Sequence, residues 1–292
     1  RIDPATGKNN YAIVQVEDEL AAIGVAIGAG WNGARAFTAT SGPGVSLMTE
    51  FLGLAYFTEI PMVLVNVQRS GPSTGMPTRT QQSDITACAY ASHGDTKQVL
   101  LFPESPRECF DFTSQAFDIA EQLQTPVIVM SDLDLGMNDH LTEEFSWQDD
   151  KAYQKGKVLS AEQLDEVEVF GRYLDVDDDG ICYRTLPGTH PDKGAYFNRG
   201  TSRDTYARYT EKSEHYVENM ERLEEKFSLA SEVLPKSIIQ QGIKTAKVGL
   251  IFYGTTSHAI VEAQTRLKET GIVTDTLRIR AFPFDESIDK FI

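Results

Sequence analysis

One arginine stands between an apolar run and a loop that is rich in glycine, proline and hydroxyl side chains. The run is PMVLVNV (61–67), the arginine is Arg69, and the loop extends from Ser70 to Thr80. Such an arginine is either a surface residue of the loop or a binding group for an anion. Its position immediately after a buried strand favours binding, because open α/β sheets bind ligands at the carboxyl ends of their strands.

Two carboxylates, Glu17 and Glu19, flank the start of a predicted helix with almost no other charge, DELAAIGVAIGAG (18–30). Acidic side chains at a helix N-terminus complement the helix dipole, and this accounts for one of the two. A further glycine-rich stretch, SGPG (41–44), follows the apolar segment 34–40 and reads as a turn after a strand. It lacks the lysine of a phosphate-binding loop and the pattern of a nucleophile elbow.

Two other motifs match known binding sites only in part. GAGWNG (28–33) has the spacing of a dinucleotide fingerprint, but it follows a predicted helix and precedes a strand. The fingerprint requires the opposite order, so these glycines are predicted to end the helix. DVDDDG (175–180) resembles the start of a calcium loop, but its twelfth position is Leu186 instead of glutamate. A solvated acidic turn is the favoured interpretation.

The cysteines and histidines show no metal-binding spacing. Cys88, Cys109 and Cys182 are far apart, which excludes a zinc or iron–sulfur site built locally from this chain. A sparse, odd set of cysteines is typical of a reducing compartment, so we expect a cytoplasmic protein. The histidines are equally scattered, at His93, His140, His190, His215 and His258.

Composition narrows the class of protein. The 292 residues carry a net charge of −16 and are 41% apolar, enough for a substantial core. This charge argues against nucleic-acid binding through neutralised phosphates. No apolar run reaches the ~18 residues of a membrane helix, and no signal peptide precedes the first strand. The chain begins at Arg1 and ends within a pattern, so we expect a piece of a longer protein.

Strand and helix patterns alternate along the first half of the chain. Strands are predicted at 11–16, 34–40, 61–67, 98–102 and 125–132, and helices at 18–30, 45–59 and 105–123. This rhythm predicts an α/β fold with a doubly wound, mostly parallel sheet. Residues 141–246 are polar, with one clear helix at 214–227. The rhythm returns with a strand at 247–254, a helix at 257–271 and a strand at 273–282. We therefore predict domains at 1–140 and 247–292, joined by a long connection.

Three stretches in order resemble one family. They are residues 16–50 (VEDELAAIG to TSGPGVSLMTE), 60–84 (IPMVLVNVQRSGPSTGMPTRTQQSD) and 188–211 (GTHPDKGAYFNRGTSRDTYARYTE). This chain resembles the alpha subunit of 2-oxoacid:ferredoxin oxidoreductases, in particular the 2-oxoglutarate type. The resemblance implies a pyrimidine-binding domain for thiamine diphosphate at 1–140 and the start of a transketolase C-terminal-like domain at 247–292. A beta subunit is expected to carry the magnesium ion and a four-iron–four-sulfur cluster.

The resemblance also assigns roles to residues. It places a catalytic glutamate beside the aminopyrimidine of the cofactor, at Glu19, with Glu17 as the competing position. Arg69 is expected to hold the substrate carboxylate and Thr78 to lie in the substrate pocket. Ser41 is expected to line the pyrimidine pocket, and Met76 to support the thiazolium ring.

The implied reaction is oxidative decarboxylation of a 2-oxoacid to an acyl-coenzyme A, with electrons passed to ferredoxin. 2-Oxoglutarate is the expected acid, and pyruvate is the alternative. Two other functions remain open on the sequence alone. One is a different thiamine diphosphate enzyme, such as a transketolase or acetolactate-synthase relative. The other is a non-catalytic regulatory subunit with the same fold.

Overall fold

The computed structural model describes residues 2–147, 152–241 and 246–292. In chain order its elements are α1 (Glu19–Trp31), β1 (Phe37–Thr40), α2 (Gly42–Thr58), β2 (Met62–Gln68), α3 (Ile85–Ala89), β3 (Val99–Leu101), α4 (Pro106–Leu123), β4 (Pro126–Asp132), α5 (Leu133–Met137), α6 (Ala161–Glu166), α7 (Ser213–Val233), β5 (Ile238–Gln240), β6 (Val248–Tyr253), α8 (Thr256–Glu269), β7 (Thr274–Ile279), β8 (Ala281–Phe282) and α9 (Ser287–Phe291).

Two sheets organise these elements. The larger sheet has the order β1-β2-β4-β3-β8, in which β1, β2, β4 and β3 are parallel and β8 is antiparallel to β3. The smaller sheet has the order β5-β7-β6, with β6 and β7 parallel. The expected α/β fold with a mostly parallel sheet is confirmed.

Helices cover both faces of the larger sheet. On one face α1 and α2 pack their apolar side chains, such as Ile23 and Leu52, against Leu64 and Ile128 of the strands. On the other face α4 and α7 contribute Phe112 and Phe227. Strands buried on both faces form continuous apolar runs, which is why 61–67 and 125–132 were recognisable from sequence.

Local capping fixes where the helices begin. The carboxylate of Asp18 accepts a hydrogen bond from the Ala21 amide (2.9 Å) at the start of α1. Ser105 caps α4 in the same way, through the Glu108 amide (3.2 Å), and Pro106 occupies the first helical position. The Asp18 cap places Glu19 in the first turn of α1.

The structure corrects several predicted elements. Residues 11–16 form no strand, because no segment in the described ranges pairs with them; Ile13 is 90% exposed. SGPG is not a turn: Ser41 is the N-cap residue of α2, and 42–44 form its first turn. The strand predicted at 273–282 is two strands, β7 and β8, in different sheets. The helix predicted at 214–227 is longer, and α3, α5 and α6 were not predicted.

The described part of the polar connection packs closely on the larger sheet. Arg172, Tyr173 and Arg203 are almost fully buried, although little of this stretch is helix or strand. The boundaries at 140 and 247 stay a prediction. No helix among the described residues is long and apolar enough to cross a membrane.

Candidate active site

Two chain segments leave the larger sheet at the same edge. β1 ends at Thr40 and leads through Ser41 into α2, while β2 ends at Gln68 and leads to Arg69. The two strands are parallel neighbours, with Thr40 opposite Asn66. Their carboxyl ends therefore form one edge, the usual place for a ligand in such a sheet.

Glu19 lies against the first turn of α2. A Cβ atom on Gly44 would sit 3.0 Å from Glu19 Cγ and 1.9 Å from Thr40 Oγ1. Only glycine at position 44 lets the glutamate approach the helix so closely. Glu19 is half-buried, whereas Glu17 is exposed. The geometry thus favours Glu19 over Glu17 as the carboxyl group that faces the SGPG segment.

Backbone hydrogen bonds close the loop after Arg69 into a compact structure. The Ser70 amide donates to the Arg79 carbonyl (2.8 Å), and the Met76 amide donates to the Ser70 carbonyl (3.2 Å). Gly75 adopts φ +48°, and a Cβ atom there would lie 2.1 Å from the Ser70 carbonyl oxygen. The loop therefore needs glycine at this position.

The predicted substrate residues lie on and beside this loop. Arg69 is half-buried, and its Nε–H is buried without a hydrogen-bond partner among the described residues. Met76 is 58% exposed, and Thr78 is also exposed. Ser41 makes no side-chain capping bond at the start of α2. Arg69 Nε and the Ser41 hydroxyl, two of the groups predicted to meet ligands, therefore have no side-chain hydrogen bond described within this chain.

Asp84 is a residue of this edge that sequence reasoning missed. Its carboxylate accepts hydrogen bonds from Asn66 Nδ2 (2.7 Å) and Gln68 Nε2 (2.6 Å), and lies 3.2 Å from where a Cβ on Gly42 would be. It joins β2, the start of α2 and the end of the loop. Two polar residues, Asn66 and Gln68, alternate with apolar ones at the end of this buried strand, and this pattern could have indicated a polar partner such as Asp84.

The smaller sheet also reaches this edge. The buried Asp132 carboxylate, at the end of β4, accepts hydrogen bonds from Gln82 Nε2 (2.9 Å) and from the Thr255 hydroxyl. The Tyr253 hydroxyl donates to the Gln82 carbonyl (3.3 Å). The end of β6 therefore holds the segment that follows the loop.

The acidic turn at 175–180 is not arranged as a calcium site. Asp177 and Asp179 each pair with Lys157 Nζ at 2.7 Å, and Asp175 accepts the Gly180 amide at 2.7 Å. No group of three or more metal-binding side chains occurs in the described ranges. GAGWNG ends α1 as predicted, with Gly33 at φ +86°.

This chain is similar to one known family and to several of its members. The family model for pyruvate flavodoxin/ferredoxin oxidoreductases, thiamine diphosphate-binding domain, matches residues 3–228. 2-Oxoglutarate synthase subunit KorA of Methanothermobacter thermautotrophicus is 34% identical over 94% of this chain and 70% of its own length. The alpha subunit of a 2-oxoacid:ferredoxin oxidoreductase of Saccharolobus solfataricus is 33% identical over 98% of this chain and 45% of its own.

A solved structure is similar over almost the whole chain. It is 2-oxoglutarate:ferredoxin oxidoreductase from Magnetococcus marinus, determined with 2-oxoglutarate, coenzyme A and succinyl-CoA bound. The TM-score is 0.85 at 29% identity, over 99% of this chain and 49% of that one. The chain thus spans about half the length of this relative. The resemblance noted from the motifs is confirmed, and this chain belongs to the family of 2-oxoacid:ferredoxin oxidoreductase alpha subunits, with their thiamine diphosphate-binding domain.

Proposed function

We propose that this chain is the alpha subunit of a thiamine diphosphate-dependent 2-oxoglutarate:ferredoxin oxidoreductase. The observation that carries the proposal is the pairing of Glu19 with Gly44 on the sheet edge where Arg69 presents an unpaired N–H group. A carboxyl group for the cofactor and a cation for a carboxylate substrate thus share one edge. The family membership supports the same reading.

The residues at this edge fit the aminopyrimidine part of the cofactor. Gly44, in the first turn of α2, lets Glu19 lie directly against this helix. Thiamine diphosphate, when bound, supplies the nucleophilic carbon that attacks the keto group and accepts the electron pair released as carbon dioxide leaves. Glu19 would hold or share a proton at ring nitrogen N1′, which favours the imino tautomer of the ring. Ser41 lines the pyrimidine side of the site, and Met76 the thiazolium side.

Arg69 binds the carboxylate next to the keto group in this proposal. A guanidinium forms two parallel charge-assisted hydrogen bonds with a carboxylate, which fix both the position and the plane of the substrate. The unpaired Nε–H of Arg69 supports this role, because a buried donor without a partner costs about 1–3 kcal/mol unless a ligand satisfies it. Thr78, on the same loop, lies in the substrate pocket.

The remaining parts of the enzyme belong to partners in this proposal. A beta subunit carries the magnesium ion and the four-iron–four-sulfur cluster, and it completes the cofactor cleft. Coenzyme A takes the acyl group, and ferredoxin takes the electrons. The three free cysteines are consistent with a reducing cytoplasm.

Coenzyme A-dependent reduction of a viologen dye by the complex that contains this chain tests the proposal. 2-Oxoglutarate, pyruvate and 2-oxobutyrate should be compared side by side. Strong activity with 2-oxoglutarate alone is the expected result. Equal activity with all three would keep the mechanism but remove the preference for 2-oxoglutarate. No dye reduction by a complex with bound thiamine diphosphate and an intact cluster would favour another thiamine diphosphate enzyme.

A further inference from the structure

We propose that Arg79 recognises the distal carboxylate of a dicarboxylic 2-oxoacid and so sets the preference for 2-oxoglutarate over monocarboxylic 2-oxoacids. The inference rests on the function proposed for the edge formed by Glu19 and Arg69. It adds a specificity-determining residue to that site.

The fold of the loop brings Arg79 back beside Arg69. The Arg79 carbonyl accepts the Ser70 amide (2.8 Å), and the Arg79 amide donates to the Met76 carbonyl (3.0 Å). Ser70 directly follows Arg69 in the chain. The two arginines, ten residues apart in sequence, therefore flank the neck of one loop.

The Arg79 side chain lies on Thr78. Its Nη1 donates to the Thr78 carbonyl oxygen (3.0 Å) and to Thr78 Oγ1 (3.3 Å). The Thr78 hydroxyl is the group expected in the substrate pocket, so the Arg79 guanidinium that contacts it lies beside this pocket. A carboxylate that reaches this hydroxyl also reaches Arg79.

Arg79 has no acidic partner in the described parts of the chain. It is exposed, and the hydrogen bonds of its side chain there go only to the adjacent Thr78. The contacts use Nη1, which leaves the donors on Nε and Nη2 for a ligand.

Two cations match the chemistry of a dicarboxylic acid. 2-Oxoglutarate carries one carboxylate beside the keto group and a second at the far end of the chain. Arg69 meets the first, and Arg79 together with Thr78 meets the second. 2-Oxovalerate has the same carbon chain with a methyl group in place of the distal carboxylate, so it keeps the contact with Arg69 and lacks the contact with Arg79.

The test compares Arg79→Gln and Arg79→Lys complexes with both acids. Loss of one charged hydrogen-bonding partner predicts that Arg79→Gln lowers kcat/KM for 2-oxoglutarate about 10- to 100-fold, and for 2-oxovalerate less than about threefold. Arg79→Lys keeps the charge but not the planar fork, so its loss is intermediate. Arg266→Gln, an exposed change of the same charge on α8, is the control.

Three results would overturn the inference. In the first, Arg79→Gln lowers kcat/KM equally for 2-oxoglutarate and 2-oxovalerate. In the second, it changes kcat/KM for neither acid. In the third, it raises the KM for coenzyme A, measured with 2-oxovalerate, and leaves kcat/KM for 2-oxoglutarate unchanged. The guanidinium would then bind a phosphate group of coenzyme A. A wild-type complex that turns over no 2-oxoacid would instead remove the proposed function itself, and this inference with it.

Discussion

At the scale of single residues, the site is marked by polar groups that the chain leaves without partners. Arg69 directly follows β2 and has a buried Nε–H with no acceptor in the described ranges. A bound carboxylate would supply the missing acceptor for Arg69, because it accepts two N–H groups at once.

Arg69→Lys should lower kcat/KM for the 2-oxoacid about 100-fold, since lysine keeps the charge but cannot form two parallel hydrogen bonds. Cofactor affinity should stay within about threefold of the wild type, which titration of the apo-complex with thiamine diphosphate would measure. An equal loss of cofactor affinity and of kcat/KM would mean that Arg69 supports the fold and does not bind substrate.

The choice between Glu17 and Glu19 shows what sequence predicts at this scale. Both glutamates precede the same helix, so composition and spacing left them as competitors. Their difference arises from tertiary contacts: Glu19 meets Gly44 of another helix, whereas Glu17 is exposed. Those contacts depend on the crossing of α1 and α2, which the local sequence pattern does not specify.

At the scale of elements, the first turn of α2 is the feature that positions the site. The SGPG segment reads as a turn, because glycine and proline commonly mark turns. Proline is also favoured in the first turn of a helix, where its missing N–H costs nothing. The structure has the second arrangement, with Pro43 near the helix start and Gly44 facing Glu19.

Gly44→Ala should disturb the site more than the fold. The new methyl group would overlap Thr40 Oγ1, and overpacking of this kind costs about 1–3 kcal/mol. We expect viologen reduction to fall at least about 10-fold, because Thr40 and Glu19 must move.

Gly28→Ala in α1 is the matched control for this substitution. Nothing lies within 4 Å of its added Cβ, and alanine favours a helix by up to about 1 kcal/mol over glycine. Activity should therefore be kept, and the unfolding midpoint should stay the same or rise. Equal activity in the Gly28→Ala and Gly44→Ala complexes would contradict the role given to the first turn of α2.

Elements were predicted well where burial made their patterns strong. β2, β4 and α4 lie within a residue or two of the predicted ranges, since each is a long apolar or amphipathic segment. Residues 11–16 have the apolar composition of a strand but no partner in the described ranges, and strand formation depends on a partner. The short helices α3, α5 and α6 have too few turns to show a period.

At the scale of the whole molecule, a buried ion cluster ties the polar connection to the end of α2. Glu59, which ends α2 at φ +59°, is fully buried. Its carboxylate pairs with Arg222 (3.0 Å) and Lys226 (2.8 Å) of α7, while Arg172 Nη2 donates to its carbonyl oxygen (3.0 Å). The sequence did not predict this cluster, because charged residues in a polar stretch are ordinarily exposed.

Glu59→Gln should destabilise the protein by about 3–5 kcal/mol, because it leaves buried cations without their anion. Urea unfolding of the variant and the wild type measures this difference. Glu262→Gln on the surface of α8, whose carboxylate pairs with the exposed Arg266, should change stability by less than about 1 kcal/mol. Similar effects of the two variants would argue against the cluster as a stabilising contact.

Low pH should remove the stabilisation that the ionised Glu59 carboxylate provides. Burial raises the pKa of Glu59, but Arg222 and Lys226 outweigh it and hold this pKa well below the ordinary 4.5. As the pH falls below 4.5, the Glu59 carboxylate takes up a proton in the unfolded chain but stays ionised in the native one. Its contribution to the free energy of unfolding is therefore complete above pH 4.5 and declines as the pH falls towards the native pKa. The stability difference between wild type and Glu59→Gln should shrink below pH 4.5; a constant difference would oppose this assignment.

The most direct test of the account compares Glu19→Gln with Glu17→Gln in the complex that contains this chain. Viologen reduction with 2-oxoglutarate and coenzyme A should fall at least about 100-fold for Glu19→Gln, because the amide cannot share an acidic proton with the cofactor ring. For Glu17→Gln it should change less than about threefold. Retained activity in the Glu19→Gln complex would contradict the catalytic site proposed here and favour a non-catalytic role for this chain.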